Sequence, residues 1–185
     1  MIEQTTNALH RGARACVLLG GLGLLAACGG LKEPQSDLNP GYVSKAIHEA
    51  TKLQNLGRRV WCVPFARNAS GVEIRGNAHT WWRQAEGQYE RTKDPKVGSV
   101  MSFSKTRKLR LGHVAVVSEI IDDRLIKIHH ANWHRNRISM SMAVKDVSDK
   151  GDWSKVRVES NPGSFGRVYL VDGFILPNTP EDAES

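Results

Sequence analysis

The chain has 185 residues, 40% of them hydrophobic and 24% charged, which allows one domain with appendages and a sizeable core. This ordinary balance excludes collagen-like, coiled-coil and wholly disordered chains. The formal net charge of +7 favours polyanionic partners, but no nucleic-acid-binding module accompanies it.

In chain order, the N-terminus comes first and does not read as part of the fold. Arg11 and Arg14 precede an uncharged apolar stretch, Ala15 to Ala27. That stretch is too short to span a bilayer as a helix, so residues 1–27 are expected to be a secretory signal peptide. It ends in Leu25-Ala26-Ala27-Cys28, which resembles the bacterial lipobox. The resemblance implies cleavage before Cys28 and lipidation of that cysteine, with several acyl chains giving stable membrane anchoring. Gly29 in place of Asp points to the outer membrane, facing the periplasm. The alternative is an ordinary cleaved signal peptide with Cys28 incidental. Loss of Arg11, Arg14 and Glu3 leaves 24 basic and 18 acidic residues, about +6. In an exported protein the polyanions to consider are cell-wall carboxylates and anionic glycolipids. Cys16 would leave with the signal peptide and Cys28 would carry lipid. Cys62 would then be the only free thiol in an oxidising compartment, and catalysis is the leading explanation for it.

Residues 28–41 have the Gly, Pro, Ser and Asn content of a tether. Residues 42–178 form the expected domain and 179–185 a tail. Tyr42 to Leu56 predicts an amphipathic helix with Val43, Ile47, Ala50 and Leu53 on one stripe and Gly57 as its stop. Trp61 to Arg67 looks like a second helix start, with Pro64 in its first turn and Gly71 able to end it. Asn77 is expected to cap a short helix through Trp81, Trp82 and Ala85. The period then changes to that of strands: Val100 to Phe103, His113 to Ile121, Arg124 to Ala131, Val156 to Glu159, Val168 to Val171 and Phe174 to Leu176. Helices followed by an antiparallel sheet predict the α+β class.

A thiol that cleaves an amide needs to ionise, needs a base that later acts as acid, and needs that base oriented. Cys62 at a helix N-terminus is expected to have its thiol pKa depressed by the helix dipole and free N–H groups. A two-residue turn at Asp122-Asp123 would set His113 opposite Asn132 and diagonal to His130, all on one face, with His129 on the other. The catalytic candidates are therefore Cys62, His113, His130 and Asn132. Trp61 and Trp133 flank them and are candidates for substrate binding, whereas Trp81, Trp82 and Trp153 read as core. The basic run Lys105 to Arg110 reads as a solvated loop, although it could hold acidic stem peptides. Asn77, His79 and Arg67 read as a cap, a surface histidine and a solvated cation. His113, His129, His130 and His134 raise a zinc alternative, but neighbouring histidines on a strand point to opposite faces.

Five segments then resemble one family: Cys62-Val63-Pro64-Phe65-Ala66-Arg67, Gly76 to Trp82, Pro95 to Val100, Leu111 to Val117, and His130-Ala131-Asn132-Trp133. In order and at fitting distances, they resemble the CHAP family of cysteine, histidine-dependent amidohydrolases/peptidases, over roughly residues 55 to 176. The resemblance implies a papain-like fold, short N-terminal helices carrying the cysteine against an antiparallel sheet carrying the histidine. It implies peptidoglycan amidase or endopeptidase activity without metal or cofactor, with Cys62 as nucleophile and His113 as base. The third polar position, commonly Glu, falls on His130, and a further Asn on Asn132; either could orient His113. Two other expectations stand beside it: a non-catalytic peptidoglycan-binding outer-membrane lipoprotein, and a zinc-dependent cell-wall hydrolase.

Overall fold

Asn39 opens the first helix of the computed structural model, which describes residues 38–178. The expected signal peptide, Cys16, Cys28, most of the expected tether and the expected tail lie outside the described residues. The Asn39 side chain accepts from the N–H groups of Gly41 and Tyr42, and Pro40 sits in the first turn, where its missing N–H costs nothing. Helix α1 therefore runs Pro40–Asn55, starting inside the stretch assigned to the tether. Helix α2, Cys62–Ser70, stops at Gly71, whose φ of 80° is the left-handed conformation of a helix end. Ala46 and Ala50 of α1 share one buried cluster with Phe65, Ala66 and Ala69 of α2. The third helical segment is shorter than its pattern suggests: a 3-10 turn, Ala78–Thr80, then α3, Trp81–Gln84. The Asn77 side chain makes no capping bond, contrary to its expected role; only its carbonyl takes part, accepting from Thr80.

Seven antiparallel strands follow: β1 Arg91–Thr92, β2 Val100–Phe103, β3 His113–Asp122, β4 Leu125–Ala131, β5 Ile138–Asp146, β6 Lys155–Asn161 and β7 Ser164–Ile175. From β2 to β7 each strand pairs with the next in the chain, and the end of β7 pairs back onto β2. The sheet thus closes into a barrel-like ring, with the short β1 added beside the end of β7. The class is α+β, as predicted. Two strands were not anticipated, β1 and β5, and the two segments expected near the C-terminus are one strand.

Alternation along the strands divides the core in two. Val100, Val114, Val116 and Ala131 face the helices, together with Val60, Phe65, Val72 and Trp81. Met101, Phe103, Ala115, Val117, Ile126, Ile128, Val156 and Phe174 fill the ring, with Trp153. Both faces of β3 are buried at its start, so its first residues are held on every side.

The β3–β4 register has an instructive irregularity. The turn is Asp123-Arg124, one residue later than predicted, since Asp122 pairs with Leu125. Two register shifts follow, and by Val116 the partner is His129, the pairing that the predicted turn would have given. His113 and His130 consequently reach the same end of the ring.

Candidate active site

Gly112 controls the entry to β3. Its φ is +66°, and a Cβ there would lie 2.7 Å from the His79 backbone nitrogen and 2.9 Å from the Phe103 carbonyl oxygen. Only glycine lets these three segments approach so closely. The His79 N–H donates to the Leu111 carbonyl at 2.9 Å, which joins the 3-10 turn to the loop before the strand. His113 is the next residue, 4% exposed.

Cys62 is the first residue of α2, and the backbone amides of Cys62, Val63 and Val114 bear on its thiol. Val114 directly follows His113, so the helix start and the strand start meet at this point. Cys62 and His113 both line one cleft of about 650 Å³, with Trp61, Asn77 and Asn132 also on its wall. Burial pushes the Cys62 thiol above its ordinary value, and the three amides offset this only in part. This corrects the expectation of a depressed thiol: the helix start does favour the anion, but desolvation outweighs it.

The imidazoles form a chain. His113 Nε2 lies 3.0 Å from His130 Nδ1, and His130 Nε2 lies 3.2 Å from the Met142 sulfur. A thioether can only accept, so the His130 proton belongs on Nε2. Neutral His130 then accepts at Nδ1, and His113 carries its proton on Nε2. The lone pair left on His113 is then at Nδ1, and His113 itself lines the cleft. Phe103 and Trp133 pack on His113 with ring centroids 5.6 and 5.0 Å away, and Trp133 also covers His130 at 5.6 Å. Burial drives His113 down to about 3. It drives His130 well below the usual histidine range too, with the His113 charge opposing it further. Thiol and imidazoles are all neutral at physiological pH.

Asn132 lines the cleft but is engaged elsewhere. It has φ 63°, and its side-chain oxygen accepts from the Asn136 backbone N–H at 2.9 Å and from Arg59 Nε at 3.3 Å. His130, not Asn132, is the hydrogen-bond partner of His113. Asn136 in turn accepts from the Val60 N–H at 2.9 Å, and its carbonyl accepts from Gln54 Nε2 at 2.6 Å. The β4–β5 loop thus clamps the segment that leads into Cys62. Trp61 is 46% exposed, with the Arg59 guanidinium 4.2 Å above its ring. Trp133 packs against the imidazoles and Tyr169 and does not line the cleft. Trp81 and Trp153 are buried in the core. Arg67 is half-buried beside Glu73 at 3.8 Å, not a freely solvated cation.

Three features escaped the sequence reading. Met142 could have been found from the alternation of Ile138, Met140, Met142 and Val144 with Ser139, Ser141 and Ala143, which marks β5. Asn136 gave no local signal. Arg107, Lys108 and Arg110, for which a solvated loop was preferred over a hold on acidic stem peptides, line the cleft.

His129 lies on the opposite face of β4, where its Nδ1 accepts from the Ser141 N–H at 3.0 Å. Among the described residues no three His, Cys, Asp or Glu side chains converge as a metal site requires. None of the described helices is long and apolar enough to cross a membrane.

A thiol and a hydrogen-bonded imidazole opening on one cleft define the class of the site as that of a hydrolase. Residues 54–132 match the CHAP domain. The match begins just before Cys62 and ends at Asn132, so the strands that complete the ring lie outside it. CHAP domains are typically amidases or peptidases, which supports a hydrolase with peptidoglycan as substrate. No curated protein matches the chain.

Proposed function

We propose that this protein cleaves an amide or peptide bond of peptidoglycan by acyl transfer through Cys62. One observation carries the reading: the Cys62 thiol, flanked by the Cys62, Val63 and Val114 amides, opens on the same cleft as His113. In the resting state the thiol keeps its proton. As substrate enters, His113 Nδ1 takes that proton while sulfur attacks the scissile carbonyl. The amides at the start of α2 can donate to the oxyanion. Collapse of the tetrahedral intermediate breaks the C–N bond, and His113 returns the proton to the leaving amine. A water then gives a proton to His113 and attacks the thioester; the C–S bond breaks and the thiol is reprotonated. His130 orients His113 by accepting from its Nε2 throughout.

The neutral resting pair favours this general-base route over a preformed thiolate–imidazolium pair. Because the sulfur is uncharged until substrate binds, the site is quiet toward small electrophiles in the oxidising envelope.

The reading extends to location. Lipidation of Cys28 would hold the domain at the outer membrane, facing the periplasm. Metabolic labelling with an alkyne fatty acid should mark the chain, and Cys28→Ser should remove the mark.

The activity itself is tested by mass spectrometry of fragments released from purified sacculi. Wild type should release fragments with one new amine and one new carboxylate, which also identifies the bond. Cys62→Ala should release at least about 10³-fold less. Equal release by Cys62→Ala would refute the assignment. Binding to sacculi without any release by wild type would favour a peptidoglycan-binding lipoprotein instead.

A further inference from the structure

The loop between β2 and β3 forms one wall of the cleft. Arg107, Lys108 and Arg110 are exposed and all three line it. No Asp or Glu appears anywhere in that lining. Some cations elsewhere have carboxylate partners: Lys127 pairs with Glu119 at 2.8 Å, Arg91 with Glu86 at 3.3 Å and Lys155 with Asp149 at 3.5 Å. Among the described residues, none of the three loop cations is in such a pair.

The loop is built, not slack. Thr106 and Leu109 exchange backbone hydrogen bonds, each 3.1 Å, and the Thr106 hydroxyl accepts from the Leu109 N–H at 3.0 Å. Leu109 packs on the core inside the ring, and its carbonyl accepts from Gly112 at 3.0 Å. Arg107 and Lys108 therefore sit at the tip of a closed turn, and Arg110 stands just beyond it. Three like charges on one wall of a cleft that holds no carboxylate of its own favour an anionic ligand. Guanidinium groups suit carboxylates in particular, which they can grip with two parallel hydrogen bonds.

We infer that this loop is a carboxylate-binding wall, and that the peptide to be cut presents free carboxylates to Arg107, Lys108 and Arg110 while its scissile carbonyl faces Cys62. Peptidoglycan as the source of those carboxylates rests on the hydrolase reading; the affinity for a carboxylate-bearing peptide does not.

The test separates the two. Full-length protein carrying Cys62→Ala is co-sedimented with purified sacculi, either untreated or with their carboxylates converted to amides by carbodiimide and ammonia. Adding Arg107→Gln, Lys108→Gln and Arg110→Gln should weaken binding to untreated sacculi about tenfold. On amidated sacculi the two proteins should bind alike. A control lacking three exposed cations outside the cleft, Lys45→Gln, Lys52→Gln and Lys145→Gln, should lose far less on untreated sacculi. With Cys62 intact, the loop variant should raise KM and leave kcat within about twofold. The inference is overturned if the loop variant binds untreated sacculi like its parent. It is equally overturned if the loss persists on amidated sacculi, or if the control loses as much. Absence of fragments from wild type would instead refute the hydrolase reading and leave the sedimentation result to judge the loop.

Discussion

The β3–β4 hairpin buries ionisable groups at both of its ends, and it treats them in opposite ways. At the turn end, the buried Asp146 carboxylate meets a cation and donors: Arg124 Nε at 3.4 Å, the Ser148 N–H at 2.8 Å and the Trp153 N–H at 3.4 Å. At the cleft end, His113 and His130 hydrogen-bond each other and a thioether and are packed by aromatic rings, with no carboxylate among these contacts. The first environment stabilises a charge and the second excludes one. Asp146 therefore holds the β5–β6 loop in place, whereas His113 is a base kept neutral until a proton is delivered to it.

Opposite substitutions should break this contrast most visibly. His113→Gln should cut fragment release at least about 10³-fold, with little loss of stability in urea unfolding at pH 7. Asp146→Ala should do the reverse, lowering stability by about 2–3 kcal/mol through unmet donors and an unpaired Arg124, with kcat of the folded fraction unchanged. Similar effects of the two on stability would erase the distinction.

His130→Glu should import the logic of the turn end into the cleft. A carboxylate beside His113 favours the imidazolium, so the His113 pKa should rise from about 3 toward or past its ordinary value. In wild type the acid limb of kcat/KM should lie well below pH 6.5; in the variant it should move up to near neutrality. A wild-type limb near 6.5 would show that burial does not govern His113.

Much of this was legible in the sequence, and the misses have physical reasons. The start of α2 at Cys62, its stop at Gly71 and the face shared by His113 and His130 followed from spacing and turn chemistry. The hairpin turn was misplaced by one residue, yet two later register shifts restored the pairing at Val116 and His129. Both shifts fall in the outer half of β3, where Glu119 to Asp122 are exposed and no buried alternation fixes the register. The alternation from Ile138 to Val144 that marks β5 was legible but passed over, and it is there that Met142 lies. Whether the Cys62 thiol falls or rises could not be judged locally. The helix start is written in the sequence; the burial that outweighs it is set by strands far along the chain.

Stability should carry the same signature. Unfolded histidines take up protons near pH 6.5, but buried His113 and His130 refuse them. The unfolded state then binds more protons, so Tm should fall as pH drops from about 6.5 toward about 3. His113→Phe should flatten that slope; an unchanged slope would mean that other groups set it.

The smallest effect is expected at Met142. Met142→Leu removes the acceptor that keeps the His130 proton on Nε2 and should lower kcat severalfold, about 3- to 10-fold. Imidazole nitrogen-15 NMR should show His130 shifting toward the Nδ1–H tautomer, and Met142→Gln, which restores an acceptor, should reverse part of both changes. A kcat loss with no tautomer shift would assign Met142 to packing alone.

The central claim is that Cys62 forms the bond to substrate, and graded alkylation tests it most directly. Iodoacetamide is added in steps, the modified fraction at Cys62 is read by peptide mass spectrometry, and fragment release from sacculi is measured at each step. The account expects release to fall one-for-one with modification of Cys62, and alkylation to accelerate with pH through a midpoint above that of an ordinary thiol. Undiminished release from protein fully alkylated at Cys62 would contradict it.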